Sequence, residues 1–141
     1  MIEEFNKLVL SGDFSRAYEQ FSIITREEAQ NELLSIAMSG NILAYGFSCF
    51  LIMKETTAEN HSLACLINTI ACQIDGAYAL AYHHAKSAAA MSKDVKFQEA
   101  LLFFNITPVK YVNDDEAEKI ALKVLEMEPD NKIALSIIEP K

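Results

Sequence analysis

The feature that most constrains the fold is a shortage of turn-forming residues. The chain has only 4 glycines and 3 prolines among 141 residues. An all-β fold of this length needs many tight turns, and glycine and proline supply most of them. Apolar residues instead recur three and four positions apart, as in the stripe Ile120, Ala121, Val124 and Leu125. This spacing is typical of amphipathic helices, so the sequence predicts an all-α fold.

We predict eight or nine short helices, near residues 2–10, 13–23, 26–38, 41–54, 57–73, 76–91, 95–104, 114–127 and 131–138. The segment 95–104 could also form a strand, but its lack of strict alternation favours a helix. The segment 105–113 contains β-branched residues and Pro108, and we predict an extended connector there. Three helix starts resemble capping boxes, because Thr25, Thr56 and Asn113 are each followed three positions later by a glutamate.

Size and composition predict one domain over residues 1–141. Hydrophobic residues make up 51% of the chain and charged residues 23%, as in ordinary globular proteins. No linker rich in glycine, serine or proline divides the sequence. Short helices joined by short turns are expected to stack as antiparallel pairs.

The charge and the apolar runs limit location and partners. The formal net charge is -8, which disfavours binding to nucleic acid or to an anionic membrane and favours a cationic partner. The alternative is that this charge serves only solubility. The acidic N-terminus lacks the positive charge of a signal peptide, and the longest apolar run, residues 42–53, is too short to span a bilayer. We therefore expect a cytoplasmic protein.

The three cysteines, Cys49, Cys65 and Cys72, predict no disulfide. Their number is odd and no CxxC motif occurs. On one helix, Cys65 and Cys72 would lie about 10 Å apart along the axis, beyond disulfide reach. We expect buried, reduced thiols.

Three segments share a spacing of small and aromatic residues. They are Gly12, Phe14, Ala17 and Phe21; then Gly76, Tyr78, Ala81, Ala85 and Ala88; then Ala117, Ala121, Val124, Leu125 and Pro129. This spacing resembles the second helix of a tetratricopeptide repeat, although the first segment lacks the terminal proline. The resemblance implies a degenerate tetratricopeptide-like array that binds proteins and acts as an adaptor or regulatory scaffold.

A second resemblance is to the small acidic immunity proteins that accompany bacterial polymorphic toxins. It rests on the stretches "GAYA…HHAKSAAAMS", "ALLFFNITP" and "DDEAEKIALKVLEMEPDN". This resemblance implies a non-enzymatic protein that occludes a basic, secreted toxin domain, often a nuclease. The immunity protein is our leading hypothesis and the adaptor is the alternative.

Six residues are candidates for partner binding: Asp114, Asp115, Glu116, Glu118, Tyr78 and Tyr82. The segment 114–130 contains seven acidic residues and two lysines, so it would complement a basic site. The alternative for the acids is helix capping on a solvated face. Tyr78 and Tyr82 lie one helical turn apart and could flank a contact surface or form a half-buried seam.

No motif indicates catalysis, a cofactor or a metal. His61 and Cys65 have the spacing of two metal ligands, but a tetrahedral site needs four. His83 and His84 point about 100° apart on a helix, so one is expected to face solvent while the other packs. A histidine could act as the base for a nucleophile, either Cys49 or Ser87. That would make a small enzyme, a third possibility; we predict that the chain is not an enzyme.

Overall fold

A computed structural model describes residues 1–139 of the chain. Every regular element in this range is helical, which confirms the all-α prediction and the predicted number of helices. The helices are α1 (Ile2–Leu10), α2 (Phe14–Phe21), α3 (Arg26–Met38), α4 (Leu43–Lys54), α5 (Ala58–Ile70), α6 (Ala77–Met91), α7 (Val95–Ala100), α8 (Asp114–Met127) and α9 (Lys132–Ile138). A 3₁₀ helix, Leu101–Asn105, continues directly from α7. The segment 95–104 is therefore helical rather than a strand. The likeness to a tetratricopeptide array stays a prediction.

Side-chain caps fix where several helices begin. The hydroxyl of Thr25 accepts a bond from the Glu28 backbone at 3.1 Å, and the Glu28 carboxylate accepts one from the Thr25 backbone at 3.1 Å, which makes a complete capping box. Asn113 caps α8 by accepting from the Glu116 backbone at 2.9 Å. The predicted cap at Thr56 is wrong by one residue.

The residue that caps α5 is Thr57, whose hydroxyl accepts from the backbone of Asn60 at 3.1 Å. The hydroxyl of Thr56 is engaged elsewhere, because it donates to the carbonyl oxygen of Ile52 at 2.8 Å. Thr56 is therefore bonded to α4, and Thr57, the next residue in the chain, caps α5.

Short turns bring consecutive helices against each other. The pairs α1–α2, α4–α5, α5–α6 and α8–α9 all pack directly. Gly76 precedes α6 with a φ of 84°, a left-handed conformation that residues with a Cβ rarely adopt. This glycine lets the chain reverse between α5 and α6, and the reversal places α6 along α5.

The largest core lies among α1 to α5 and is centred on aromatic rings. Phe47 on α4 is fully buried. Its ring lies 5.3 Å from that of Phe5, 5.8 Å from Phe14 and 6.1 Å from Phe21, measured between centroids. A second core joins α6, α8, α9 and the 3₁₀ helix, and it is rich in buried alanines. The prediction of one domain over residues 1–141 includes two residues outside the described range and stays a prediction.

The predicted extended connector, 105–113, is instead a closed loop. The backbone N–H of Val112 donates to the carbonyl oxygen of Phe104 at 3.2 Å, and the amide of Asn105 donates to the Val112 carbonyl at 3.0 Å. Within the loop, the hydroxyl of Thr107 donates to the Val109 carbonyl at 2.7 Å. The extended prediction fails because these polar side chains satisfy backbone groups locally and fold the segment back on itself.

Candidate functional site

The predicted acidic residues lie on the first turns of α8, next to the connector loop. Asp115, Glu116 and Glu118 are exposed. Asp114 is exposed too, but its carboxylate accepts from Lys110 at 2.9 Å and from the Asn105 amide at 2.9 Å. Among residues 1–139, none of the ion pairs involves Asp115, Glu116 or Glu118. The first turns of α8 therefore present three exposed carboxylates that lie outside the ion pairs of the described residues.

The two predicted tyrosines are half-buried and face the segment that follows α7. The ring of Tyr78 lies 6.2 Å from Phe103, and a hydrogen bond with Cys72 raises the pKa of the Tyr78 hydroxyl. The ring of Tyr82 stacks on Tyr111 at 5.3 Å with an angle of 22° between the planes. Tyr82 thus packs α6 against the connector loop and Tyr78 packs it against the 3₁₀ helix, so the two tyrosines form one seam along α6.

A groove of about 410 Å³ opens beside this seam. One wall is the turn between α5 and α6, residues 72–78, and the other consists of Pro108, Val109 and Tyr111 of the connector loop. We call it the turn groove. It contains Tyr78 but not Tyr82, so only one of the two predicted tyrosines borders an open surface depression here.

A second groove, of about 380 Å³, lies where the connector loop meets α8 and α9. Its lining includes Asn105 and Ile106 from the loop, Asp114, Ala117 and Glu118 from α8, and Ser136 and Ile137 from α9. We call it the α8–α9 groove. Two of the predicted acidic residues, Asp114 and Glu118, therefore border a depression, whereas Asp115 and Glu116 are not part of its lining.

The structure also contains a buried polar network that the sequence does not predict. The Nδ1 atoms of His61 on α5 and His84 on α6 lie 2.9 Å apart. The Nε2 atom of His84 lies 3.0 Å from the hydroxyl of Tyr45 on α4. Both histidines are buried, whereas His83 is exposed, which confirms that one histidine of the pair faces solvent and the other packs.

Burial sets the protonation of this network. It lowers the pKa of His84 to about 4, with smaller contributions from His61 and His83, and it also lowers the pKa of His61. The pKa of Tyr45 is raised, first by burial and then by a hydrogen bond with Cys49. Two neutral imidazoles can share one hydrogen bond because one ring donates and the other accepts. The network therefore holds both histidines neutral at pH 7.

The cysteines depart from the predicted burial. All three are free thiols, but Cys49 and Cys72 are exposed and only Cys65 is partly buried. Cys65 and Cys72 do not share a helix, because α5 ends at Ile70 and Cys72 belongs to the turn that follows. The prediction of burial was wrong for Cys49 and Cys72 because it relied only on the apolar character of cysteine. Exposed positions on α4 and in the turn accept a small side chain equally well.

The described residues contain neither a cluster of metal ligands nor a helix that could span a membrane. No group of three or more histidine, cysteine, aspartate or glutamate side chains is arranged to hold a metal ion in residues 1–139. Within the same range, no helix combines the length and the apolar character needed to cross a membrane. His61 and Cys65, the pair with ligand spacing, are therefore not joined by a third ligand in the described part of the chain.

Sequence reasoning found the acidic helix start but missed the two grooves and the histidine network. A signal for the grooves is the share of apolar residues between Asn105 and Asn113, because loops are usually polar. These residues are Ile106, Pro108, Val109, Tyr111 and Val112. The contact between His61 and His84 spans 23 positions. No local pattern reveals such a contact. Comparison with protein-family models, with curated proteins and with solved structures gave no match.

Proposed function

We propose that this chain is a non-enzymatic, cytoplasmic protein-binding module, and specifically an immunity protein that neutralises a basic, secreted toxin domain by occluding it. The observation that carries the proposal is the exposed acidic start of α8, where Asp115, Glu116 and Glu118 have no ion-pair partner in the described chain. Such a surface complements the cationic site that a nuclease needs to hold phosphates.

The overall charge supports the same proposal. A chain with a net charge of -8 attracts a cationic protein over several ångströms and accelerates the encounter with it. The same charge repels nucleic acid, so the inhibitor would not compete for the toxin's own substrate. Inhibition by occlusion needs no cofactor and no catalytic residue in this chain.

Affinity purification from the cell that encodes the chain tests the proposal. A tagged chain is captured, washed at low and then at high salt, and the retained proteins are identified by mass spectrometry. We expect one basic protein in stoichiometric amount, encoded next to this chain, toxic when produced alone and harmless when the two are produced together. Several weaker partners or a multi-subunit complex would contradict the immunity function and favour the adaptor instead.

A further inference from the structure

The connector loop is a common wall of the two grooves. Pro108 and Val109 line the turn groove, and Asn105 and Ile106 line the α8–α9 groove. Three residues of chain span at most about 11 Å, so the two walls are within reach of one short partner segment. The grooves can therefore be considered as one surface with the loop at its centre.

The loop presents apolar side chains to solvent although its ends are buried. Phe104 and Val112 are each 1% exposed and are joined by a backbone hydrogen bond. Between them, Ile106 is 78% exposed and Val109 is 61% exposed. A loop held in this way loses little conformational entropy on binding, which favours its use as a recognition surface.

The charges around the two grooves differ from those around other depressions. Asp75 lines the turn groove, Asp114 and Glu118 line the α8–α9 groove, and among the described residues neither lining includes a lysine or an arginine. Three other surface grooves each include at least one cation: Arg26 and Lys96 in the first, Lys7 in the second, Lys93 and Lys123 in the third. The two grooves beside the loop thus have acidic lining residues and no basic one; Lys110 contacts Asp114, whereas Glu118 is outside the ion pairs of the described residues.

We propose that these two grooves form one docking surface for a segment of a basic protein, in which an apolar side chain enters the turn groove and a lysine or arginine a few residues away enters the α8–α9 groove. This inference deepens the proposed function by locating its contact surface, and it rests on that function only for the partner's identity. Charge complementarity selects a cationic segment over a second copy of this acidic chain. The exposed Ile106 and Val109 supply an apolar contact in addition to the charge complementarity.

Lys110 lies in the loop and does not oppose a cationic partner strongly. Its ammonium group contacts the Asp114 carboxylate at 2.9 Å, so its charge is compensated locally. Asp75, Glu118 and the neighbouring Asp115 and Glu116 keep the surface negative around it. The Asp114–Lys110 pair also ties the loop to the first turn of α8.

Titration of the full, ¹⁵N-labelled chain with short synthetic peptides tests the surface by NMR. The main probe contains one phenylalanine flanked by lysines and arginines. One control peptide has glycine in place of the phenylalanine, and a second has glutamates in place of the cations. We expect the main probe to shift the amides of residues 72–78, 105–107 and 109–118, and each control to bind more weakly by about fivefold or more.

Two variants and a matched control distinguish specific binding at this surface from non-specific binding of the peptide. Val109→Ser and Glu118→Gln should each weaken the main probe by about threefold or more. Ile23→Ser should leave it unchanged, although Ile23 is 60% exposed, nearly the same as Val109. Since all three positions are exposed, the fold is retained, and one-dimensional spectra verify this directly.

Other outcomes overturn the surface. Amide shifts confined to other parts of the chain, equal binding of the control peptides, or no shifts with the main probe at millimolar concentration would each exclude it. A toxin that co-purifies with the chain but keeps its affinity for Val109→Ser and Glu118→Gln would leave the proposed function standing and remove this surface. Peptide binding at the grooves, with no toxin found as a partner, would support this surface and remove the proposed function.

Discussion

The Nδ1 atoms of His61 and His84 lie 2.9 Å apart in the interface between α5 and α6. This distance requires one ring to donate and the other to accept, so the contact is lost when both rings carry two protons. The Tyr45 hydroxyl, 3.0 Å from the other nitrogen of His84, continues the network to α4. A buried network of this kind can join the three helices as long as at least one of the two rings is neutral.

The first prediction is a loss of stability in mild acid. The pKa of His84 is lowered from 6.5 to about 4 in the folded chain, so between these values the unfolded chain binds the proton more tightly. Stability is therefore fully present above about pH 6.5 and falls as the pH drops towards 4, by at most about 3 kcal/mol from this group. Urea unfolding at a series of pH values measures it.

The variant His84→Gln isolates this effect from the protonation of carboxylates. We expect it to lose less stability than the wild type over the same pH interval, because the titrating ring is gone. His83→Gln is the matched control, since His83 is the exposed neighbour; it should stay close to the wild-type curve, because His83 makes only a smaller contribution to the lowered pKa of His84. Parallel curves of stability against pH for the wild type and His84→Gln would show that His84 does not cause the loss of stability in acid.

The second prediction concerns the cap of α5. Thr57→Ala removes the hydroxyl that accepts from the Asn60 backbone and should lower the free energy of unfolding by about 1 kcal/mol. Thr56→Ala should cost less, because the hydroxyl of Thr56 bonds to the end of α4 and caps no free N–H. Chemical denaturation of both variants checks the order. A larger loss of unfolding free energy for Thr56→Ala would indicate that Thr56, as the sequence pattern predicts, caps α5.

The third prediction concerns the turn before α6. Gly76 has a φ of 84°, and a Cβ added there would meet no atom within 4 Å, so any cost of substitution comes from the backbone conformation. We expect Gly76→Ala to lower the free energy of unfolding by about 1–2 kcal/mol. Gly76→Asn should cost less, because asparagine tolerates the left-handed region. An alanine variant as stable as the wild type would show that the turn can adopt another conformation.

The fourth prediction tests whether the position of the acids matters or only their number. Asp115→Asn, Glu116→Gln and Glu118→Gln together should slow association with the co-purified partner by roughly three- to tenfold at low salt. The control combines Glu3→Gln, Glu27→Gln and Glu59→Gln, three exposed acids in the first turns of other helices. Both sets remove the same charge, so stopped-flow rates that fall equally would assign the effect to net charge.

The fold was predictable from sequence to the extent that it depends on local signals. Helices α1, α3 and α8 begin and end at the predicted residues. Side-chain caps mark the starts of α3 and α8, at Thr25 and Asn113, whereas α1 has no side-chain cap and was predictable from its apolar periodicity alone. The cap of α5 was misplaced because two adjacent threonines satisfy the same pattern, and only the competing bond to Ile52 separates them.

The candidate site was only partly predictable, since its pieces are distant in the chain. The acidic turn at 114–118 is a local signal. The turn groove, however, joins residues 72–78 to the loop at 108–111, and nothing within either segment reveals the other. The same holds for His61 and His84, whose contact depends on how α5 and α6 pack.

The hydrogen bond between Val112 and Phe104 has a consequence for how this chain can change over generations. It closes the loop at its base, so the residues that maintain the fold are separated from those at the exposed tip. Because Ile106 and Val109 are exposed, we expect substitutions at either position to cost little stability. A chain built this way can exchange a few loop residues while every helix stays in place.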